Sequence, residues 1–166
     1  MQRPQRIEPG PGQESVWDYP RPPRLEATSA VIRIEHGGRT VCETTSALRI
    51  LETSQPPGIY VPTADVDMGL LRPSATHTFC EWKGAASYLD LLVPGSDPVA
   101  DACWYYPQPA PAYAAIVDHL AFYPQRVDAC FVDDERVLAN DGDFYGGWIT
   151  STVVGPFKGG AGTLGW

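Results

Sequence analysis

In the stretch 78–88, "TFCEWKGAASY", a thiol, a carboxylate, an indole and an ammonium follow one another. Cys80 supplies a thiol able to act as a nucleophile or redox centre if a neighbouring base or cation favours its thiolate. Lys83 lies across a turn that Gly84 permits. In an extended chain, side chains two apart share a face. Thr76, Thr78, Cys80 and Trp82 then fall on one side; His77, Phe79, Glu81 and Lys83 fall on the other. Cys80 and Glu81 therefore point apart and form no dyad, whereas Cys80 and Trp82 can line one hollow.

Two further stretches aim at the same hollow. In "VADACWYYP" (99–107) alternation groups Ala100, Ala102, Trp104 and Tyr106. The small residues leave room and the aromatic ones close it. In "ALRILET" (47–53) Leu48, Ile50 and Glu52 share a side, which sets a carboxylate at the edge of an apolar layer. With Tyr60, these residues describe an aromatic-walled recess suited to a flat ring or a cation. The ligand-binding set is Tyr60, Trp82, Lys83, Trp104 and Tyr106. Cys80 and Glu52 are the candidates for catalysis. An ordinary aromatic core would use the same residue types. The residues name no cofactor.

The elements that must position these groups are strands. The chain has 166 residues, with 17 prolines and 16 glycines, and such punctuation breaks long helices. A hairpin is expected over 29–45, turning at Gly37–Gly38. Strands are expected at 47–53, 59–62, 75–83, 86–93, 99–107, 119–124 and 127–132, with a short helical piece at 112–117. The architecture is mainly β, a compact sandwich or small barrel of about eight to ten short antiparallel strands with at most one or two short helices. Three parts follow: a Pro-rich extended segment over 1–27, its first fifteen residues mobile; a β domain over 28–139; and a Gly- and aromatic-rich tail over 140–166. Phe144, Tyr145, Trp148, Phe157 and Trp166 make that tail unlike a free linker. Two placements stay open for it: wrapped on its own domain, or docked on a partner subunit in a homodimer.

Composition excludes several classes. The net charge is −8 and no basic stripe is present, which argues against nucleic acid as a partner. No apolar segment follows the arginines of the N-terminus and none is long enough to cross a bilayer, so a cytoplasmic protein without a membrane partner is expected. Cys42, Cys80, Cys103 and Cys130 are widely spaced, which disfavours a structural zinc site, and no metal ligands are assigned. "GPFKGGAG" (155–162) lacks the Ser or Thr and the helix of a phosphate loop. Arg21 and Arg24 are expected to pair with surface carboxylates.

"ALRILETSQPPGIYVPTADV", "THTFCEWKGAASY" and "CWYYPQPAP", in that order, with "FYP" and "VD" within 122–128, resemble the family called domain of unknown function 427. The resemblance covers roughly residues 28–132. "SVWDYPRPPRLE" and "YGGWITSTVVGPFKGG" are similar to the extensions of actinobacterial-type members. The resemblance implies a β-tent-like fold and an acidic residue at Glu52. It supplies no reaction, and three readings follow: a small-molecule-binding β domain, a cysteine-dependent or redox enzyme using Cys80, or a structural and oligomerisation module. The paired zinc cysteines of methionine-sulfoxide-reductase-type enzymes are missing. The family is also labelled nucleotidyltransferase-like. That chemistry needs a Gly-Ser at a helix N-terminus ahead of an Asp-x-Asp pair. "DVD" (65–67) has the spacing, but Gly95–Ser96 comes after it, so Asp65 and Asp67 are expected to be turn residues.

Overall fold

The computed structural model describes residues 3–166. The chain enters through β1 (Glu14–Ser15), β2 (Arg24–Ala27), β3 (Ile32–His36), β4 (Arg39–Thr44), β5 (Leu48–Leu51) and β6 (Gly58–Pro62). Next come β7 (Leu71–Cys80), β8 (Gly84–Leu91), β9 (Val99–Tyr105), β10 (His119–Phe122) and β11 (Ala129–Val132). Four two-residue strands follow: β12 (Glu135–Arg136), β13 (Leu138–Ala139), β14 (Trp148–Ile149) and β15 (Val153–Val154).

Seven strands form one antiparallel sheet in the order β2-β5-β6-β10-β9-β8-β7. Four more form a second sheet, β12-β11-β3-β4. Gly37 and Gly38 both take left-handed backbone, as the two-residue turn between β3 and β4 requires. The mainly-β expectation holds, and the sheets do not close into a barrel.

Helix is confined, among the described residues, to five short 3-10 pieces, where one or two short helices were expected. Proline explains most of the excess. Pro111 and Pro124 open two of these pieces and Pro62 precedes a third. Proline suits a first turn but cannot donate to a longer ladder. No helix of the described residues is long and apolar enough to cross a membrane.

The central strands are buried on both faces, and the pleat sorts their side chains by type. Ile59 and Val61 of β6, Leu120 and Phe122 of β10, Cys103 of β9, and Leu89 and Leu91 of β8 join one cluster. Ile32, Ile34, Val41 and Cys42 of the smaller sheet complete it. Fully burying each such aliphatic side chain contributes about 1.5–3 kcal/mol. The alternate residues Tyr60, Ala121, Tyr88 and Trp104 lie in a second cluster with Tyr106, Tyr113, Ile116 and Tyr123. One face of the large sheet is thus aliphatic and carries the other sheet, while the opposite face is aromatic.

The stretch expected to be mobile is tied down from Arg6 onward. Arg6 pairs with Asp18 at 2.9 Å. The Ile7 N–H donates to the Gly155 carbonyl at 3.0 Å, and β1 pairs in parallel with β15. The segment is held by polar side chains and backbone groups, and Ile7 is its one aliphatic residue, half exposed, so apolar patterning gave no sign of it. Met1 and Gln2 lie outside the described residues.

Candidate functional site

A recess of about 500 Å³ opens on the aromatic side of the large sheet. Register builds its floor. Trp104 stands opposite Tyr88 on one side and Ala121 on the other, and Tyr60 stands opposite Leu48. The small Ala121 side chain between β6 and β9 lets Tyr60 and Trp104 meet edge to face, with ring centroids 6.2 Å apart. Tyr106 adds a ring 6.5 Å from Tyr60, and Tyr123 packs 4.6 Å from Trp104. The Thr78 and Tyr88 hydroxyls lie 3.0 Å apart.

The structure brings Glu52, Tyr60, Cys80, Trp82, Lys83, Trp104 and Tyr106 to this one recess. Three of them arrive differently from expectation. β7 ends at Cys80, which pairs with Gly84 across a three-residue turn. Trp82 and Lys83 therefore sit in the turn, and alternation no longer governs them. Gly84 makes the turn with a φ of +111°, a conformation open chiefly to glycine. Glu52 lies just beyond the end of β5, where Arg21 Nε stands 3.5 Å from its carboxylate. Arg24 pairs with Glu26 at 3.6 Å on the surface, as expected, whereas the partner of Arg21 is the largely buried Glu52 of the recess rather than a surface carboxylate.

Ala102 does not join the recess. Asp101 takes positive φ, and the pairing of β8 with β9 shifts register there. This bulge turns Ala102 into the aliphatic cluster beside Cys103. Asp101 itself lines the recess. Ser74 and Thr76 hydroxyls donate to its carboxylate at 2.5 and 2.8 Å.

Several lining groups had no signal in the local pattern. Arg126 lies with its guanidinium 3.8 Å over the Tyr123 ring. It binds the Asp143 carboxylate at 3.0 Å and donates to the Asp101 carbonyl at 2.7 Å. These bonds hold segment 143–147 against the floor, assisted by Gln125 donating to the Tyr145 carbonyl at 3.1 Å. A Cβ at Gly146 would stand 2.6 Å from Trp104, so the glycine is what lets the tail lie on the indole. The only prior hint was a tail mixing glycines with large aromatics.

Burial pushes the phenols of Tyr60, Tyr106 and Tyr123 upward. The wall therefore presents neutral phenols at physiological pH, able to hydrogen-bond but not to act as phenolate bases. Cys80 is half-buried and lines the recess, whereas Cys42, Cys103 and Cys130 are buried. Burial, then the charges of Asp65 and Glu43, push the Cys42 thiol up to about 12. Burial raises Cys103 and Cys130 as well.

Asp65 and Asp67, expected as turn residues, lie away from the recess, Asp65 ending one 3-10 piece and Asp67 capping the next. Thr44 donates to Asp65 at 2.7 Å, and Arg39 stands 3.5 Å from Asp67. Among the described residues no three His, Cys, Asp or Glu side chains are grouped to hold a metal ion.

The family model described as Domain of unknown function (DUF427) matches residues 24–133. The chain belongs to this family. The match opens at the first residue of β2 and closes just beyond β11. Within DUF427 bounds thus lie the large sheet and the aromatic floor; the segment 140–147 that lies over that floor falls outside. No curated protein matches the chain.

Proposed function

We propose that this DUF427 chain binds a small cyclic or planar molecule in the aromatic recess. The observation that carries this reading is the convergence of Tyr60, Trp104 and Tyr106 with Cys80, Glu52 and Lys83 around one open volume of about 500 Å³. Metabolite sites fall in this size range, with a few polar groups set in apolar walls. Calorimetric titration with a panel of cyclic metabolites tests it. At least one is expected to bind, and Trp104→Ala is expected to weaken that binding by about tenfold or more. Binding unchanged in Trp104→Ala would place the ligand elsewhere.

A second reading, thiol chemistry at Cys80, draws on the contrast among the four cysteines. Cys80 is the one reached from the recess, with Lys83 on the same turn. In the native protein iodoacetamide is expected to modify one thiol, and Cys80→Ser to abolish that labelling. Cys80 left unmodified up to about pH 9 would remove the enzymatic reading. For assembly through the tail, Phe144 and Leu164 are the exposed apolar side chains, while Trp148 and Phe157 pack against their own chain.

A further inference from the structure

Resting on the binding reading above, we infer that the ligand is a planar anion, a carboxylate or phosphate ester on a flat ring, whose charge is held by Lys83. Most charged groups around the recess have partners within the chain. Glu52 has Arg21 at 3.5 Å, and Asp143 has Arg126 at 3.0 Å. Asp101 accepts from two hydroxyls, and Glu81 is exposed to solvent. Arg126 is consumed by Asp143, the Asp101 carbonyl and the face of Tyr123. Lys158 stands 3.5 Å from the Trp166 carbonyl and 5.5 Å over the Tyr145 ring.

Lys83 is different. Its ammonium sits 5.8 Å from the Tyr106 ring centroid, and among the described residues it pairs with no carboxylate. An ammonium drawn partly out of water beside an aromatic wall gains most from a counterion. The phenols of Tyr60 and Tyr106, kept neutral by burial, add hydrogen-bond donors to the wall. A cationic ligand would meet Lys83 as a like charge. The rings of Tyr60, Trp104 and Tyr106 define the flat part of the ligand, since aromatic walls favour stacked or edge-on rings.

Binding of four probes to the full chain separates the possibilities: 2-naphthoate, phenyl phosphate, neutral 2-naphthamide and cationic 2-naphthylmethylammonium. One or both anions are expected to bind about tenfold or more tighter than the amide. Lys83→Met is expected to abolish that preference while leaving amide binding in place, and Lys83→Arg to keep most of it. The wild-type comparison carries the test even if the methionine variant folds poorly. Amide or cation binding as tightly as the anions would overturn the anion assignment and leave the recess reading standing. Failure of all four to bind would overturn both.

Discussion

Trp148→Ala is expected to remove about 3–5 kcal/mol of folding stability. Trp148 is only 2% exposed and belongs to the cluster shared by the two sheets. Its indole N–H donates to the Phe122 carbonyl at 3.1 Å, and its backbone N–H donates to the Pro57 carbonyl at 2.9 Å. Truncation therefore leaves a large void and strips a buried carbonyl of a donor, which adds about 1–3 kcal/mol where water cannot enter. Domains are stable by only about 5–15 kcal/mol, so the variant should be close to unfolding. Trp148→Phe keeps most of the volume but loses the hydrogen bond, and should fall between. Urea midpoints at unchanged slope measure the series. A Trp148→Ala midpoint equal to wild type would mean that segment 140–166 is a passenger rather than part of the core.

Gly146→Val is expected to cost about 1–3 kcal/mol and to lift segment 143–147 from the aromatic floor. A Cβ at this position would lie 2.6 Å from Trp104 and 3.0 Å from Tyr123. Trp104 cannot retreat easily, because Tyr60 and Tyr123 pack against it. The peptide must move instead, and the Arg126–Asp143 pair and the Gln125 bond to the Tyr145 carbonyl move with it. Thermal denaturation reads the cost, and limited proteolysis within 141–147 reads the release. Gly146→Ala, with the same Cβ but no branches, should show a smaller version of both. Wild-type resistance to cleavage in Gly146→Val would show that this segment is not held by contact with the indole.

The two faces of the large sheet were legible because they rest on local alternation. Ile59, Tyr60 and Val61, and likewise Leu120 to Tyr123, state in consecutive letters which side is aliphatic and which is aromatic. Gly37–Gly38 stated its turn with equal clarity. What could not be read depends on backbone choices that a local pattern does not encode. Alternation set Ala100 and Ala102 with Trp104 and Tyr106, and with an alanine on each side of Asp101 the bulge that exiles Ala102 left no trace. The start of β7 at Leu71 was hidden by Pro73, which an edge strand tolerates and a central one does not. β2 was masked in the same way by Pro20, Pro22 and Pro23. Arg126 and Gly146 take their places through contacts with segments distant in sequence, which no short pattern announces.

As proposed, the aromatic face of the large sheet is an open recess that accepts a ligand rather than a closed core. The five indole N–H resonances of the chain report on it directly. Titration with 2-naphthoate, followed by proton–nitrogen correlation spectra, should shift the Trp82 and Trp104 signals, since both side chains line the recess. The Trp17 and Trp148 signals, each bonded to a backbone carbonyl away from it, should stay in place. Shifts confined to Trp17, Trp148 or Trp166, with Trp82 and Trp104 unmoved, would contradict the account.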